Sequence, residues 1–279
     1  SKILYHYDQQ GNLSGTESFL YDVAADWYAS RKSSFTKDDD GNSIETISVW
    51  ERLNSEWLFS ERITREYNAN KQILREEKAN WNRNLSAWVN TIRIIRDYDT
   101  AGNEILTENQ MWKNNQWIGT SKYIKAFNAN NQQVLSENYT RWDEVNNIWI
   151  GSSKSIQEYN DARQPILSEY YTWDVSNRWR GTSRQSTHYT NGEQNGSISY
   201  QWDNVAWNWV NSTKTETLFD PDGLRTSFGY YIWDKGTAQW KTNIFIEYIN
   251  QDGFVQKETY YRPGSSSDLE IYQYIVYYY

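Results

Sequence analysis

Seven times along the chain, a hydroxyl stands three residues and a cation five residues after a tryptophan. The series is Ser30 with Lys32, Ser60 with Arg62, Thr91 with Arg93, Thr120 with Lys122, Ser152 with Lys154, Thr182 with Arg184, and Ser212 with Lys214. A second kind of segment supplies Leu-x-Glu: Leu74 with Glu76, Leu106 with Glu108, Leu135 with Glu137, and Leu167 with Glu169. Residues two apart in an extended chain share a face, so hydroxyl and cation are expected on one side of a sheet, with a neighbouring strand's glutamate opposite the cation. The expected pairs are Lys122, Lys154 and Arg184 with Glu108, Glu137 and Glu169. Such a ladder has two readings. It either fixes register through cross-strand ion pairs, each contributing about 0.2–1 kcal/mol, or offers a regular face to a polyelectrolyte or glycan. Alternating charges neutralise one another instead of building a one-sign patch, which favours register.

Aromatic chemistry is the second resource, with 16 Trp, 23 Tyr and 8 Phe. Exposed faces of Trp142, Trp149, Trp173, Trp179, Trp202, Trp207 and Trp209 could stack on sugar rings or aromatic ligands, with Asp and Asn beside them bonding hydroxyls. The competing reading makes the same rings bracket hairpin ends and pack on neighbouring repeats, and a residue needed in every repeat favours it. Catalysis has little to stand on. The chain has no Cys, and only His6 and His188 are available, so Ser-His-Asp and poly-histidine zinc sites are not expected. No singular acidic motif marks a glycosidase among the 36 acidic residues. Asp38-Asp39-Asp40-Gly41 and Asp220-Pro221-Asp222-Gly223 hint at calcium but lack the rest of a ligand loop, so turn chemistry is the better reading. No catalytic residue, metal or cofactor is therefore expected, and the chain reads as a non-enzyme.

These residues sit in an internal repeat. One register runs Trp27, Trp57, Trp88, Trp117, Trp149, Trp179, Trp209 and Trp240; a second runs Tyr21, Trp50, Trp81, Trp112, Trp142, Trp173, Trp202, Trp233 and Tyr261. A third runs Tyr7, Tyr67, Tyr98, Phe127, Tyr159, Tyr189, Phe219 and Tyr248, with Lys37 in the second place. The period is about 30 residues, giving one array with units at roughly 7–36, 37–66, 67–97, 98–126, 127–158, 159–188, 189–218, 219–247 and 248–279. Each unit holds two segments of about ten residues and two turns. One turn follows the third register, as in Tyr7-Asp8-Gln9-Gln10-Gly11-Asn12 and Tyr98-Asp99-Thr100-Ala101-Gly102-Asn103, where Asp opens the turn and Gly supplies positive φ. The other separates the paired tryptophans. The segments are short and show no 3.6-residue apolar stripe, so the expected class is all-β, an antiparallel β-hairpin repeat array. Sixteen to eighteen strands at ~4.8 Å spacing would span roughly 75 Å, so twist is expected to coil the sheet into a spiral or superhelix.

The recurring Tyr-Asp-x-x-Gly-Asn stretch, at Tyr7 to Asn12 and Tyr98 to Asn103 and degraded at Tyr67 to Asn70, resembles the YD repeats of Rhs-type proteins. That resemblance implies a secreted or surface-exposed bacterial hairpin array that coils into a spiral or hollow shell. The period here is longer than a YD unit, and the paired tryptophans are not required by that family. The tryptophans and the Asn-x-Trp element are similar, in composition, to the aromatic hairpins of bacterial cell-wall and choline-binding repeats.

A net charge of -8 argues against sequence-independent nucleic-acid binding. No apolar run approaches ~18 residues, so no transmembrane helix is expected, and Ser1-Lys2-Ile3-Leu4-Tyr5 does not read as a signal peptide. A lipid-facing barrel is not expected either, because neither face of the 149–159 segment is apolar. The chain is expected to be cytoplasmic or a processed product, with secretion, the cell surface or the periplasm favoured by the YD-like turns. The leading function is a scaffold for adhesion, shell formation or docking to another protein or surface polymer; the alternative is a carbohydrate-binding module that stacks glycans on Trp and Tyr. A docking edge is expected at the C-terminal segment, through Tyr272, Tyr274, Val276 and Tyr278, unless that strand folds back or lies under Arg262 to Ser267.

Overall fold

The computed structural model describes residues 1–23, 26–264 and 268–278. Among them there is no helix, and the strands in chain order are β1 (Lys2–Tyr7), β2 (Leu13–Asp22), β3 (Asp26–Lys37), β4 (Ser43–Glu51), β5 (Glu56–Tyr67), β6 (Ile73–Asn82), β7 (Ala87–Tyr98), β8 (Glu104–Lys113) and β9 (Gln116–Phe127). They continue as β10 (Gln133–Asp143), β11 (Ile148–Tyr159), β12 (Pro165–Trp173), β13 (Trp179–Thr190), β14 (Glu193–Asp203), β15 (Asn208–Phe219), β16 (Arg225–Asp234), β17 (Gln239–Gln251), β18 (Phe254–Pro263) and β19 (Leu269–Val276). The chain is an all-β antiparallel hairpin repeat, as its turn chemistry predicts. It divides into two units, residues 1–125 with 138–150, and residues 126–137 with 151–279.

In the first unit every strand from β1 to β9 pairs antiparallel with the next in sequence. In the second the same rule runs from β11 to β19. Seven of the turns after the third aromatic register share one backbone hydrogen-bond plan. Asp8 Oδ1 accepts from the Gln10 and Asn12 amides at 2.9 and 2.8 Å, and Asn12 Nδ2 donates to Asp8 Oδ2 at 3.0 Å. Asp38 with Asn42 and Asp99 with Asn103 repeat it. Where the first residue is Asn, the partner four on is Gln: Asn68 with Gln72, Asn128 with Gln132 and Asn160 with Gln164. Here the Asn Nδ2 donates to the Gln Oε1, and the Gln Nε2 also reaches the next turn. Gln72 donates to the Gly102 carbonyl at 2.9 Å, Gln132 to that of Arg163 at 3.2 Å, and Gln164 to that of Gly192 at 2.7 Å. The motif tyrosines reach backward in return: Tyr98 Oη donates to the Ile73 carbonyl and Tyr189 Oη to that of Pro165.

One expectation about the faces needs correction. The register passes from Asn109↔Ser121 to Gln110↔Gly119 and from Tyr170↔Ser183 to Tyr171↔Gly181, leaving Thr120 and Thr182 as the extra residues of β-bulges. Ser30, Ser60, Thr91 and Ser212 occupy the same place. Their hydroxyls do not join the cations on a shared face; they turn to the neighbouring strand, where Ser30, Thr91, Thr120 and Thr182 donate to the carbonyls of Ser18, Lys78, Asn109 and Tyr170 at 2.9–3.0 Å. A bulge adds one residue and so resets the two-residue alternation. The cation five residues after the tryptophan therefore falls on the tryptophan's own face.

The apolar interior is thin. Among the described residues the buried apolar side chains are Ile47, Ile63 and Ala79 in the first unit and Ile246 in the second.

Candidate functional site

Each tryptophan pair stands at the loop end of a hairpin, register partners edge to face. Trp142 and Trp149 have ring centroids 5.7 Å apart at 73°, Trp173 and Trp179 4.9 Å at 84°, and Trp202 and Trp209 5.1 Å at 80°. Three of these pairs also cover the preceding repeat. A Cβ placed on Gly119 would collide with Trp149, one on Gly151 with Trp173 and Trp179, and one on Gly181 with Trp202 and Trp209. Glycine at these three places admits the indoles flat against the neighbouring strand. Phe59 fills the corresponding place earlier, 5.3 Å from Trp81 and 5.7 Å from Trp88. Cations complete the stack: Arg62 lies over Trp88 at 5.2 Å, Arg93 over Trp117 at 4.7 Å, and Lys122 over Trp149 at 5.8 Å. Trp207 belongs to the Trp202–Trp209 turn, takes φ of 51°, and holds the Arg178 guanidinium 3.8 Å from its ring.

The polar ladder is present in part. Lys154 meets Glu137 at 2.8 Å, Arg184 meets Glu169 at 3.2 Å, Lys32 meets Glu17 at 3.7 Å, and Arg93 meets Glu77 at 3.7 Å. Lys122 stands opposite Glu108 in register, but the Glu108 carboxylate takes the Gln110 amide. Glu76 pairs instead with Arg65, at 2.8 Å. Beside Arg184, Tyr171 donates to Glu169 and accepts from Trp209 Nε1 at 3.2 Å; burial first, and then Glu169, push its phenol pKa up. The aspartate turns that hinted at calcium use their carboxylates internally: Asp38 Oδ1 accepts from the Asp40 and Asn42 amides, and Asp220 Oδ1 from those of Asp222 and Leu224.

At the C-terminal segment, Tyr272, Tyr274, Val276 and Tyr278 are exposed. β19 forms a hairpin with β18 through pairs such as Thr259↔Tyr274 and Tyr261↔Ile271. Arg262 lies over Tyr272 at 5.6 Å and Lys257 over Tyr274 at 5.4 Å. Ser265, Ser266, Ser267 and Tyr279 lie outside the described residues.

A site that the repeat pattern conceals lies in the second unit. A recess of about 330 Å³ is lined by His188, Asn195, Gly196, Lys214, Glu216 and Trp240, with Ile198 beside them. Asn195, Gly196 and Ile198 shape it. Gly196 stands six residues before Trp202, where Leu167 stands before Trp173, and a side chain there is barred, since its Cβ would meet the Thr215 carbonyl at 2.8 Å. Ile198 faces Lys214 where Glu169 faces Arg184. Lys214 therefore turns to Glu216 on its own strand, at 2.7 Å. Asn195 is the extra residue of a second bulge, in the place that Leu74, Ile105 and Ile166 hold in other hairpins. Its Nδ2 donates to Thr190 at 2.7 Å, while its Oδ1 is buried and has no hydrogen-bond partner among the described residues. The signal was open to inspection as the places where the columns break.

No family model matches the chain, and no curated protein matches it. Among solved structures, it is similar to a protein of unknown function from Bacteroides fragilis, at 17% identity over 46% of this chain and 91% of that one, with a TM-score of 0.31. A DUF3836 family protein from Bacteroides vulgatus matches at 17% identity over 31% and 87%, with a TM-score of 0.27. The TcdB2-TccC3-Cdc42 structure matches at 10% identity over 96% of this chain and 19% of that one, with a TM-score of 0.22.

Proposed function

We propose that the chain is a non-enzymatic hairpin-repeat scaffold, acting at the surface of a bacterium or in its periplasm, that docks another protein or a surface polymer. The observation that carries this reading is the seating of tryptophan pairs on the repeat before them, as Trp149 sits on Gly119 and Trp209 on Gly181. Rings held edge to face and backed by a neighbouring strand hold repeats in line, and this supports a structural role for the repeated indoles over sugar stacking. Contact surface remains at the hairpin tips, where Val23, Leu53, Val145, Val175 and Val205 are each at least 91% exposed. The Tyr-Asp-x-x-Gly-Asn turns, similar to YD repeats, support a location outside the cytoplasm.

Added protease on intact cells tests the reading. Cleavage without lysis is expected of a surface chain, and release by osmotic shock with the periplasmic fraction of a periplasmic one. Recovery of an uncleaved chain in the cytoplasmic fraction would overturn the location, and steady turnover of glycosides, esters or peptides by the purified chain would overturn the non-enzymatic assignment.

A further inference from the structure

We propose that the recess over Gly196 is a saccharide site that takes one pyranose unit of a glycan, and that it is separate from the tryptophan brackets. A repeat built only to stack needs every unit alike, whereas a site for one ligand needs a unit that differs. Here Asn195, Gly196 and Ile198 stand where β12 has Ile166, Leu167 and Glu169, and the strands alongside supply His188, Lys214 and Glu216.

The chemistry selects the ligand class. Asn195 lines the recess and its Oδ1 has no donor among the described residues, so once the amide turns toward the recess a ligand hydroxyl or N–H satisfies it. A phosphate or carboxylate brings acceptors only and would also face Glu216. A cation is disfavoured because Lys214 already holds that place, 2.7 Å from Glu216 and 5.8 Å from the Trp240 ring centre. A neutral ring with hydroxyls round its edge and C–H groups on its face meets all of these conditions. Its face lies on Trp240 and Ile198, one hydroxyl donates to Asn195 Oδ1, and others meet Lys214, Glu216 and His188. The volume of about 330 Å³ is at the small end for ligand sites and suits one ring, not an extended chain.

The test uses the full chain and the methyl glycosides of glucose, galactose, mannose and N-acetylglucosamine at millimolar concentrations. Heteronuclear NMR of the indole and imidazole groups is expected to show saturable shifts at Trp240 and His188 with at least one glycoside. Trp142 and Trp173 should stay unmoved. Asn195→Leu restores the aliphatic found in other hairpins and is expected to weaken binding at least tenfold with the circular dichroism spectrum unchanged; Glu216→Gln gives a second, independent reading of the same recess. Shifts centred on the repeated tryptophans, undiminished binding in both variants, or no shift with any of the four glycosides would each overturn the proposal. Those results would leave the scaffold reading standing, because it does not depend on this recess.

Discussion

Thr120 Oγ1 donates a hydrogen bond to the carbonyl oxygen of Asn109 at 3.0 Å, from a residue that the register between β8 and β9 skips. Without that extra residue, Lys122 would fall on the face opposite Trp117. The bulge thus decides which side of the sheet carries the cations, and the hydroxyl satisfies a carbonyl that the bulge leaves over. Thr120→Val keeps the shape and removes the donor, so a loss of about 1 kcal/mol is expected. Deleting Thr120 should cost several times more, because every later side chain of β9 changes face. Hydrogen exchange across β8 and β9 checks both.

Gly181→Ala should be among the more damaging small substitutions in the second unit. The added methyl would collide with both Trp202 and Trp209, and overpacking of this kind costs about 1–3 kcal/mol. In a one-dimensional stack the damage stays local. Protection is expected to fall in β13 to β15 and hold in β2 to β5; an equal fall throughout would refute the repeat-by-repeat account.

Much of this was legible in the chain because turns and paired rings act locally. Asp8 with Asn12 specifies a turn by itself, and Trp202 faces Trp209 because a hairpin loop brings them opposite. The bulge at Thr120 was not legible, since one added residue changes neither composition nor strand length, yet it reverses parity beyond it. The pairings of Arg184 with Glu169 and Lys154 with Glu137 were readable from spacing. Glu108 was not, because the Gln110 amide competes for it from the same strand. The recess was hidden for another reason: its residues lie on four strands and matter only as departures from the repeat.

Lys154 and Glu137 should show measurable coupling. They are 2.8 Å apart and only 21% and 15% exposed, so reversing either charge is expected to destabilise, and reversing both to restore about 0.2–1 kcal/mol. A double-mutant cycle measures it. The same cycle on Lys122 and Glu108 should give less, and a larger value there would contradict the geometry described.

Arg163 occupies φ of 64° in the turn after β11, where Gly11 and Gly102 stand in other hairpins. A left-handed residue with a Cβ costs ~1–2 kcal/mol, against ~0.5–1 kcal/mol for the added freedom of glycine in the unfolded chain. Arg163→Gly is therefore expected to stabilise by about 0.5–1 kcal/mol. The Gln132 bond to its backbone carbonyl should survive the change, and thermal unfolding gives the sign.

Acid should separate the two kinds of turn within one molecule. The side-chain bond from Asn12, Asn42 or Asn103 holds the carboxyl of Asp8, Asp38 or Asp99 below its ordinary value of 3.8, and the Lys241 ammonium brings Asp234 down to about 2. A carboxyl whose folded pKa lies below its unfolded one binds fewer protons when folded. Its contribution to stability is complete above the unfolded value, near 4, and is lost as pH falls through the folded value. Asp234→Asn should therefore flatten the dependence between pH 4 and about 2 at the β16–β17 turn. In the turns led by Asn68, Asn128 and Asn160 an amide oxygen, not a carboxylate, accepts the same backbone bond from the residue four on. Across that window the Gly11, Gly41 and Gly102 amides should lose exchange protection, while those of Lys71, Asn131 and Arg163 keep theirs. Equal loss in both sets would show that acid acts on the whole array, through net charge, and not through the turn carboxylates.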